Sequence, residues 1–222
     1  MPRPSQRHNR EGLNLQGVIG VILAGGVSKR FGSHKAFFEY NGKRLIDIVY
    51  SKLSRASLVS EVYISAKSII TGYPPYKIIL DSEEVSAPIT GVISSLRHLR
   101  RDIFVVGCDM PCIDPHIVDF IISRALSSNV LFVSLSIKEG LMEPLFAYYS
   151  YNILDILLNK FKEGNYSLQD ILREIGEKIL IKLEDVPVNL KDAAKKSIIN
   201  INKPEDLLLL YNCLNDNNSK KW

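Results

Sequence analysis

Short apolar runs alternate with segments of helical spacing along most of the chain. The runs "GVIGVILA" at residues 17–24, "EVYIS" at 61–65 and "DIFVVG" at 102–107 have the length and β-branched content of buried strands. Between them, residues 45–56 and 88–101 carry apolar side chains three or four positions apart, as amphipathic helices do. This alternation predicts an α/β fold: a doubly wound, mostly parallel sheet with helices on both faces.

The second half of the chain extends this pattern. Further strands are predicted at "KIILDS", "NVLFVSLSI", "LFAYY" and "SIININ", and further helices after Asp114-Pro115, at residues 153–162 and 167–177, and at "KPEDLLLLYNCL". We predict a single domain at residues 17–214. A disordered basic N-terminal arm at residues 1–16 and a disordered C-terminal tail at 215–222 are expected to flank it.

Composition narrows the class of partner. With 222 residues, of which 46% are hydrophobic, the chain can bury one sizeable core. Its 28 basic and 24 acidic residues form a mixed surface, which indicates a small-molecule partner rather than a nucleic acid. No apolar run reaches the length of a membrane span, and no secretory signal is visible, so no membrane association is expected.

The three cysteines are Cys108, Cys112 and Cys213. Their number is odd, and their spacing matches neither a disulfide framework nor a zinc site. We therefore expect buried packing for Cys108 and Cys112. The simplest compartment for such a protein is the reducing cytoplasm.

A glycine-rich loop, "LAGGVSKRFGSHK" at residues 23–35, follows the first predicted strand. Its three glycines are Gly25, Gly26 and Gly32, and its three cations are Lys29, Arg30 and Lys35. Glycines let backbone N–H groups approach phosphate oxygens, and the cations supply charge. The spacing fits neither a Walker loop nor a dinucleotide fingerprint. A flexible turn between strand and helix is the alternative for the loop taken alone.

Asp109 follows the run "IFVVGC", at the carboxyl end of a predicted strand. By itself it could be a turn or capping residue. In open parallel sheets, however, ligands bind beyond the carboxyl ends of the strands, so Asp109 is expected at the same edge as the glycine loop. Mg²⁺ is commonly held by one or two carboxylates plus substrate phosphates. The pair of features predicts a phosphate and Mg²⁺ site.

The segment "LAGGVSKRFGSHKAFFEYNGKRLID" closely resembles the opening of the molybdenum cofactor guanylyltransferases. "DSEEVSAPITGVISSL", "VVGCDMPCI", "EPLFAYY" and "IININKPEDL" resemble further segments of that family in the same order. The similarity covers most of residues 17–210. It implies a Rossmann-like nucleotidyltransferase fold and an enzyme that transfers GMP from GTP to the terminal phosphate of molybdopterin, releasing pyrophosphate.

The resemblance also implies roles for individual residues. Leu23, Ala24, Gly25 and Gly26 would hold the guanine base and the ribose edge, with Asp81 and the turn from Pro88 to Gly91 facing the nucleotide. Arg30 and Lys35 would neutralise the triphosphate and the leaving pyrophosphate. Asp109 would hold the Mg²⁺ cofactor, and Asn202 is a candidate for the rest of its shell. Cofactor-supplying and acceptor enzymes are candidate protein partners.

Several other functions share this loop chemistry. The rival enzymes are molybdopterin cytidylyltransferase, adenosylcobinamide-phosphate guanylyltransferase and sugar-phosphate nucleotidyltransferases. By resemblance, "LAGG" rather than "LAAG" is the guanine-type form. A non-catalytic GTP-binding module that delivers cofactor is the alternative from another class. Pyrophosphate release from GTP distinguishes an enzyme from such a module.

Overall fold

The computed structural model describes residues 17–25, 35–81, 85–138 and 141–215. The strands are β1 (Val18–Leu23), β2 (Glu39–Tyr40), β3 (Lys43–Arg44), β4 (Val59–Ala66), β5 (Ile78–Leu80), β6 (Ile103–Gly107), β7 (Phe132–Lys138), β8 (Leu141–Tyr149) and β9 (Lys178–Ile181). The helices are α1 (Leu45–Leu53), α2 (Pro88–Leu99), α3 (Pro115–Ser128), α4 (Leu154–Lys162), α5 (Leu168–Glu174), α6 (Lys191–Ser197) and α7 (Leu207–Asn215). The predicted N-terminal arm and residues 216–222 of the predicted tail lie outside the described residues.

A seven-stranded sheet in the order β5-β4-β1-β6-β8-β7-β9 forms the centre of the described structure. β5, β4, β1 and β6 are parallel neighbours, so their carboxyl ends meet at one edge. β8 runs antiparallel to both β6 and β7, and its first residues therefore lie at that same edge. The edge is where the predicted phosphate and Mg²⁺ site should be.

Helices cover both faces of this sheet. Ile22 of β1 belongs to the core that includes residues of α1 and α3, whereas Ile19 and Val21 belong to the core shared with α2, α4 and α5. Successive strand residues point to opposite faces, so one strand contributes to both cores. In β8, likewise, Tyr148 belongs to the first of these cores and Tyr149 to the second. The prediction of a doubly wound, mostly parallel sheet is confirmed.

Some local predictions need correction. "SIININ" is not a strand: the end of α6 occupies its first residue, and the Ile201 N–H donates to the Asp109 carbonyl at 2.8 Å instead of joining the sheet. β9, α6 and the β2–β3 hairpin were not predicted from the sequence. The hairpin could have been predicted from the pair Asn41-Gly42, which forms its turn with φ values of 50° and 72°. An Asn-Gly pair is the strongest short-range indication of such a turn.

The expectation for the cysteines was wrong in part. Cys112, in the loop after β6, forms a disulfide with Cys213 of α7, 101 residues away in sequence. Both pack in a small apolar cluster with Leu45, Ile201 and Leu210. Cys108 is the buried thiol that was expected. A pairing over this separation depends on where α7 docks, which spacing alone does not reveal.

The described part of the chain contains no helix that is both long and apolar enough to cross a membrane.

Candidate active site

A cavity of about 280 Å³ opens at the carboxyl edge of the parallel strands. Its walls come from the ends of β1, β4 and β6, the segment after β5 and the first turn of α2. Of the residues predicted from the sequence, it is lined by Leu23, Gly25, Asp81, Pro88, Gly91 and Asp109. The fold thus brings together residues that are up to 86 positions apart in sequence, from Leu23 to Asp109.

Other predicted residues lie elsewhere or outside the description. Gly26 and Arg30 fall outside the described residues. Lys35 begins a short 3₁₀ helix, Lys35–Phe37, and its side chain is outside the description too. Ala24 is buried behind the cavity wall, where its N–H donates to the Ser65 carbonyl at 2.8 Å. This hydrogen bond joins the end of β1 to β4.

Asn202 is exposed, and its N–H donates to Asp206 at 2.8 Å. The preceding residue, Ile201, bonds the Asp109 backbone. The structure thus brings the Asn202 segment beside the Asp109 loop.

One end of the cavity is built around a buried carboxylate, Asp81. The Thr90 hydroxyl donates to its Oδ2 and the Ser94 hydroxyl to its Oδ1, the latter at 3.3 Å. The Lys67 ammonium lies 3.1 Å from Oδ2. The Asp81 N–H donates to Ala66 at 2.9 Å, which fastens the residue to the end of β4. Asp81 is therefore a fixed hydrogen-bond acceptor beside a cation.

Lys67 and Ser65 line the cavity but were not singled out from the sequence. A signal for them was present, because they stand at and just after the end of "EVYIS", and ligands bind beyond the carboxyl end of every parallel strand in such a sheet. Thr90 also lines the cavity and belongs to the turn from Pro88 to Gly91 that the resemblance marked, but its hydrogen bond to Asp81 is visible only in the structure.

Asp109 occupies the other end of the cavity. It is half-buried in a loop fastened to β1, where the Cys108 N–H donates to the Leu23 carbonyl at 3.1 Å. A Cβ built on Gly107 would stand 2.5 Å from the Asp109 Oδ1, closer than real contacts allow. Glycine at position 107 is therefore what lets the carboxylate fold back over the end of β6.

A second carboxylate, Glu143, lies near Asp109 at the beginning of β8. It accepts a hydrogen bond from the Leu145 N–H at 3.1 Å and another from the Asn200 side chain. Burial raises the pKa of Glu143, and the charge of Asp109 raises it further. Glu143 thus links β8 to the segment that contains Asn202. The sequence analysis had quoted "EPLF" only as a resemblance, without a role for this residue.

The described residues offer a magnesium ion part of its ligand set. Within the described ranges, no three His, Cys, Asp or Glu side chains come together as a metal cluster. Mg²⁺ does not require one, because it keeps several waters and takes one or two carboxylates plus phosphates. Asp109, which lines the cavity, suits that donor set.

Comparisons with known proteins agree with this geometry. The MobA-like NTP transferase domain matches residues 20–179. A probable molybdenum cofactor guanylyltransferase of Pyrococcus horikoshii is 35% identical over 197 residues, covering 87% of this chain and 98% of the relative. Another from Thermococcus sibiricus is 34% identical over 193 residues, covering 86% and 95%.

The fold has a counterpart among solved structures. Molybdopterin-guanine dinucleotide biosynthesis protein A from Archaeoglobus fulgidus superposes with a TM-score of 0.72 at 23% identity, over 86% of this chain and 95% of that one. At this identity the likeness concerns the fold. The family match over residues 20–179, together with relatives above 30% identity along nearly their whole length, confirms the resemblance seen in the sequence. The chain belongs to the MobA-like NTP transferase family and is a nucleotidyltransferase.

Proposed function

We propose that the protein transfers GMP from GTP to the terminal phosphate of molybdopterin and releases pyrophosphate. The observation that carries the proposal is one cavity with a fixed carboxylate acceptor, Asp81, at one end and Asp109 at the other. The first suits a base that presents N–H donors, and the second suits the phosphates. The names of the relatives favour guanine and molybdopterin as the substrates.

The reaction needs little covalent help from the protein. An oxygen of the acceptor phosphate forms a bond to the α-phosphorus of GTP. The bond from that phosphorus to the α–β bridging oxygen breaks, and pyrophosphate leaves with the electron pair. The attacking oxygen is already anionic, so no general base is required. Catalysis then depends on positioning and on neutralising charge.

The proposed roles combine the placement of the described groups with what the resemblance implies for the glycine loop. The backbone at Leu23 and Gly25 borders the nucleotide, while Arg30 and Lys35 of the glycine loop balance the triphosphate charge. Asp109 would hold Mg²⁺, which would supply positive charge to neutralise the phosphates. Asn202 completes that end of the site. We place the reaction in the cytoplasm, with GTP and molybdopterin as the small-molecule partners.

The nearest alternative is cytidylyl transfer on the same fold. Asp81 argues against it, because the pairing edge of cytosine offers an amine and a ring lone pair where guanine offers two adjacent N–H groups. A carboxylate facing a lone pair would gain no hydrogen bond from the base, and the two would repel each other.

In thermal unfolding with Mg²⁺, GTP and GDP should protect the protein more than ATP or CTP do. A nucleotide present at a hundred times its Kd adds about 2.7 kcal/mol to the free energy of unfolding, which gives a readily measured increase in Tm. Pyrophosphate should appear only when GTP, Mg²⁺ and molybdopterin are all present. Equal protection by CTP would refute the guanine assignment, and GTP binding without pyrophosphate release would indicate a delivery module instead.

A further inference from the structure

Lys67 lies directly after β4, in the cavity wall beside Asp81. Its ammonium is 3.1 Å from the Asp81 carboxylate, and its side chain is 31% exposed against 5% for Asp81. The Lys67 ammonium also donates a longer hydrogen bond, of 3.4 Å, to the Val85 carbonyl. The aspartate is thus the more buried partner, and both side chains line the cavity.

Lys67 and Asp81 lie side by side in the cavity wall, and their order is fixed by their contacts. Thr90 and Ser94 orient the Asp81 carboxylate from α2, and the ion pair then holds the ammonium against it. An ammonium has three donors and no acceptor, and a carboxylate is an acceptor only. An entering base therefore meets a donor next to an acceptor. The long Val85 contact can be exchanged for a base oxygen while the ion pair is kept.

We propose that Lys67 is a base-specificity residue, whose ammonium donates to O6 of guanine while Asp81 accepts from the neighbouring N1–H and N2–H groups. This rests on the proposed function and adds a residue to it. Along its base-pairing edge, guanine presents the O6 acceptor and then the N1–H and N2–H donors. This is the order that Lys67 followed by Asp81 requires. Adenine and cytosine present an amine donor at the corresponding position, N6 or N4, followed by a ring lone pair.

The mismatch explains how the pair would discriminate between bases. With adenine or cytosine, the ammonium would face an amine and the carboxylate a lone pair, so neither protein group would receive a hydrogen bond from the base in place of the water that the base displaces. Unpaired polar groups of this kind are the strongest basis for rejecting a substrate. Uracil shares the order of O4 acceptor and N3–H donor, so UTP should be rejected less strongly than CTP although the two are nearly equal in size.

The direct test is Lys67→Met, which keeps an unbranched apolar stem and removes the ammonium. We expect the Kd for GTP, measured by titration calorimetry, to rise roughly tenfold to a hundredfold, the range for one well-placed base contact. The Kd for ATP should change little, so the preference for GTP over ATP should largely disappear. The Kd for ITP should rise by the same factor, because ITP keeps the O6 and N1–H groups that the pair would recognise.

Two controls separate base reading from a general loss of charge. Lys77→Met removes an ammonium that pairs with Glu61 outside the cavity, and it should leave the ratio of GTP to ATP affinity unchanged. The triphosphate of 2-aminopurine riboside lacks O6, so Lys67→Met should not alter its Kd. With the unmodified protein this analogue, which lacks N1–H as well as O6, should bind more weakly than GTP, and this comparison tests the Lys67–Asp81 pair as a whole even if the variant does not fold.

The outcomes distinguish the inference from the proposed function. If Lys67→Met weakens GTP and the 2-aminopurine analogue equally, Lys67 acts on the phosphates or on the fold, and the inference is wrong. If the variant keeps the preference of the parent protein for GTP, the inference is wrong while guanylyl transfer stands. If the unmodified protein shows no preference for GTP, both fail.

Discussion

Asp109→Asn should fold like the parent protein and release pyrophosphate at least about a hundredfold more slowly, the scale seen when one preorganised electrostatic contact is removed. The substitution keeps the size of the side chain but removes the charge that Mg²⁺ needs. The loss should fall mainly on kcat, because negative charge on the α–β bridging oxygen develops only in the transition state. Steady-state assays of pyrophosphate release with GTP and molybdopterin measure it.

A matched control lies five residues away in the same loop region. Asp114 caps α3, where its carboxylate accepts from the His116 N–H at 2.8 Å. Asparagine caps a helix as well as aspartate does, so Asp114→Asn should change neither turnover nor stability appreciably. If Asp109 were also a mere turn residue, the two variants would behave alike. Near-normal turnover by a folded Asp109→Asn protein would therefore refute the proposed metal role.

Cys213→Ser should lower the free energy of unfolding by about 2–4 kcal/mol under oxidising conditions, the usual contribution of a disulfide. The bond joins residues 101 apart, and closing so long a loop restricts the unfolded chain strongly. Urea unfolding measures the change. A reductant should destabilise the parent protein by a similar amount and leave Cys213→Ser unaffected.

Cys112→Ser supplies the internal control, because either cysteine alone breaks the same bond. The double variant should lose about as much stability as each single variant, and this non-additivity is diagnostic of one shared interaction. A reductant that leaves the parent protein's urea midpoint unchanged would show that the bond adds nothing to stability. The bond does not by itself argue against the cytoplasm, since intracellular proteins of hyperthermophilic archaea also contain disulfides.

The local pattern of apolar and polar residues was sufficient to predict most strands of the sheet and most of the helices that cover it. β1, β4 and β6 were predictable because buried parallel strands form short, nearly continuous apolar runs. The helix α3 was equally clear from the Asp114-Pro115 start. The glycine loop and Asp109 were found by applying one topological rule to strand ends, and the ordered motifs identified the family before any coordinates were considered.

The tertiary structure decided what depends on contacts between distant segments. "SIININ" has the composition of a strand, but Ile201 bonds to the Asp109 loop, so composition predicted the wrong partner. The Cys112–Cys213 bond follows from the docking of α7, which no spacing rule encodes.

The base end of the cavity shows the same division most clearly. The sequence marked Asp81 and the turn that contains Thr90 through a resemblance, but it gave no role to Lys67. The chemistry of these side chains arises only when β4, the segment after β5 and α2 converge, because a hydrogen-bond donor gains a role from the acceptor placed beside it. The sequence by itself thus determined most of the elements and the class of reaction. The fold alone decided which side chains share the cavity and in what order a base would meet them.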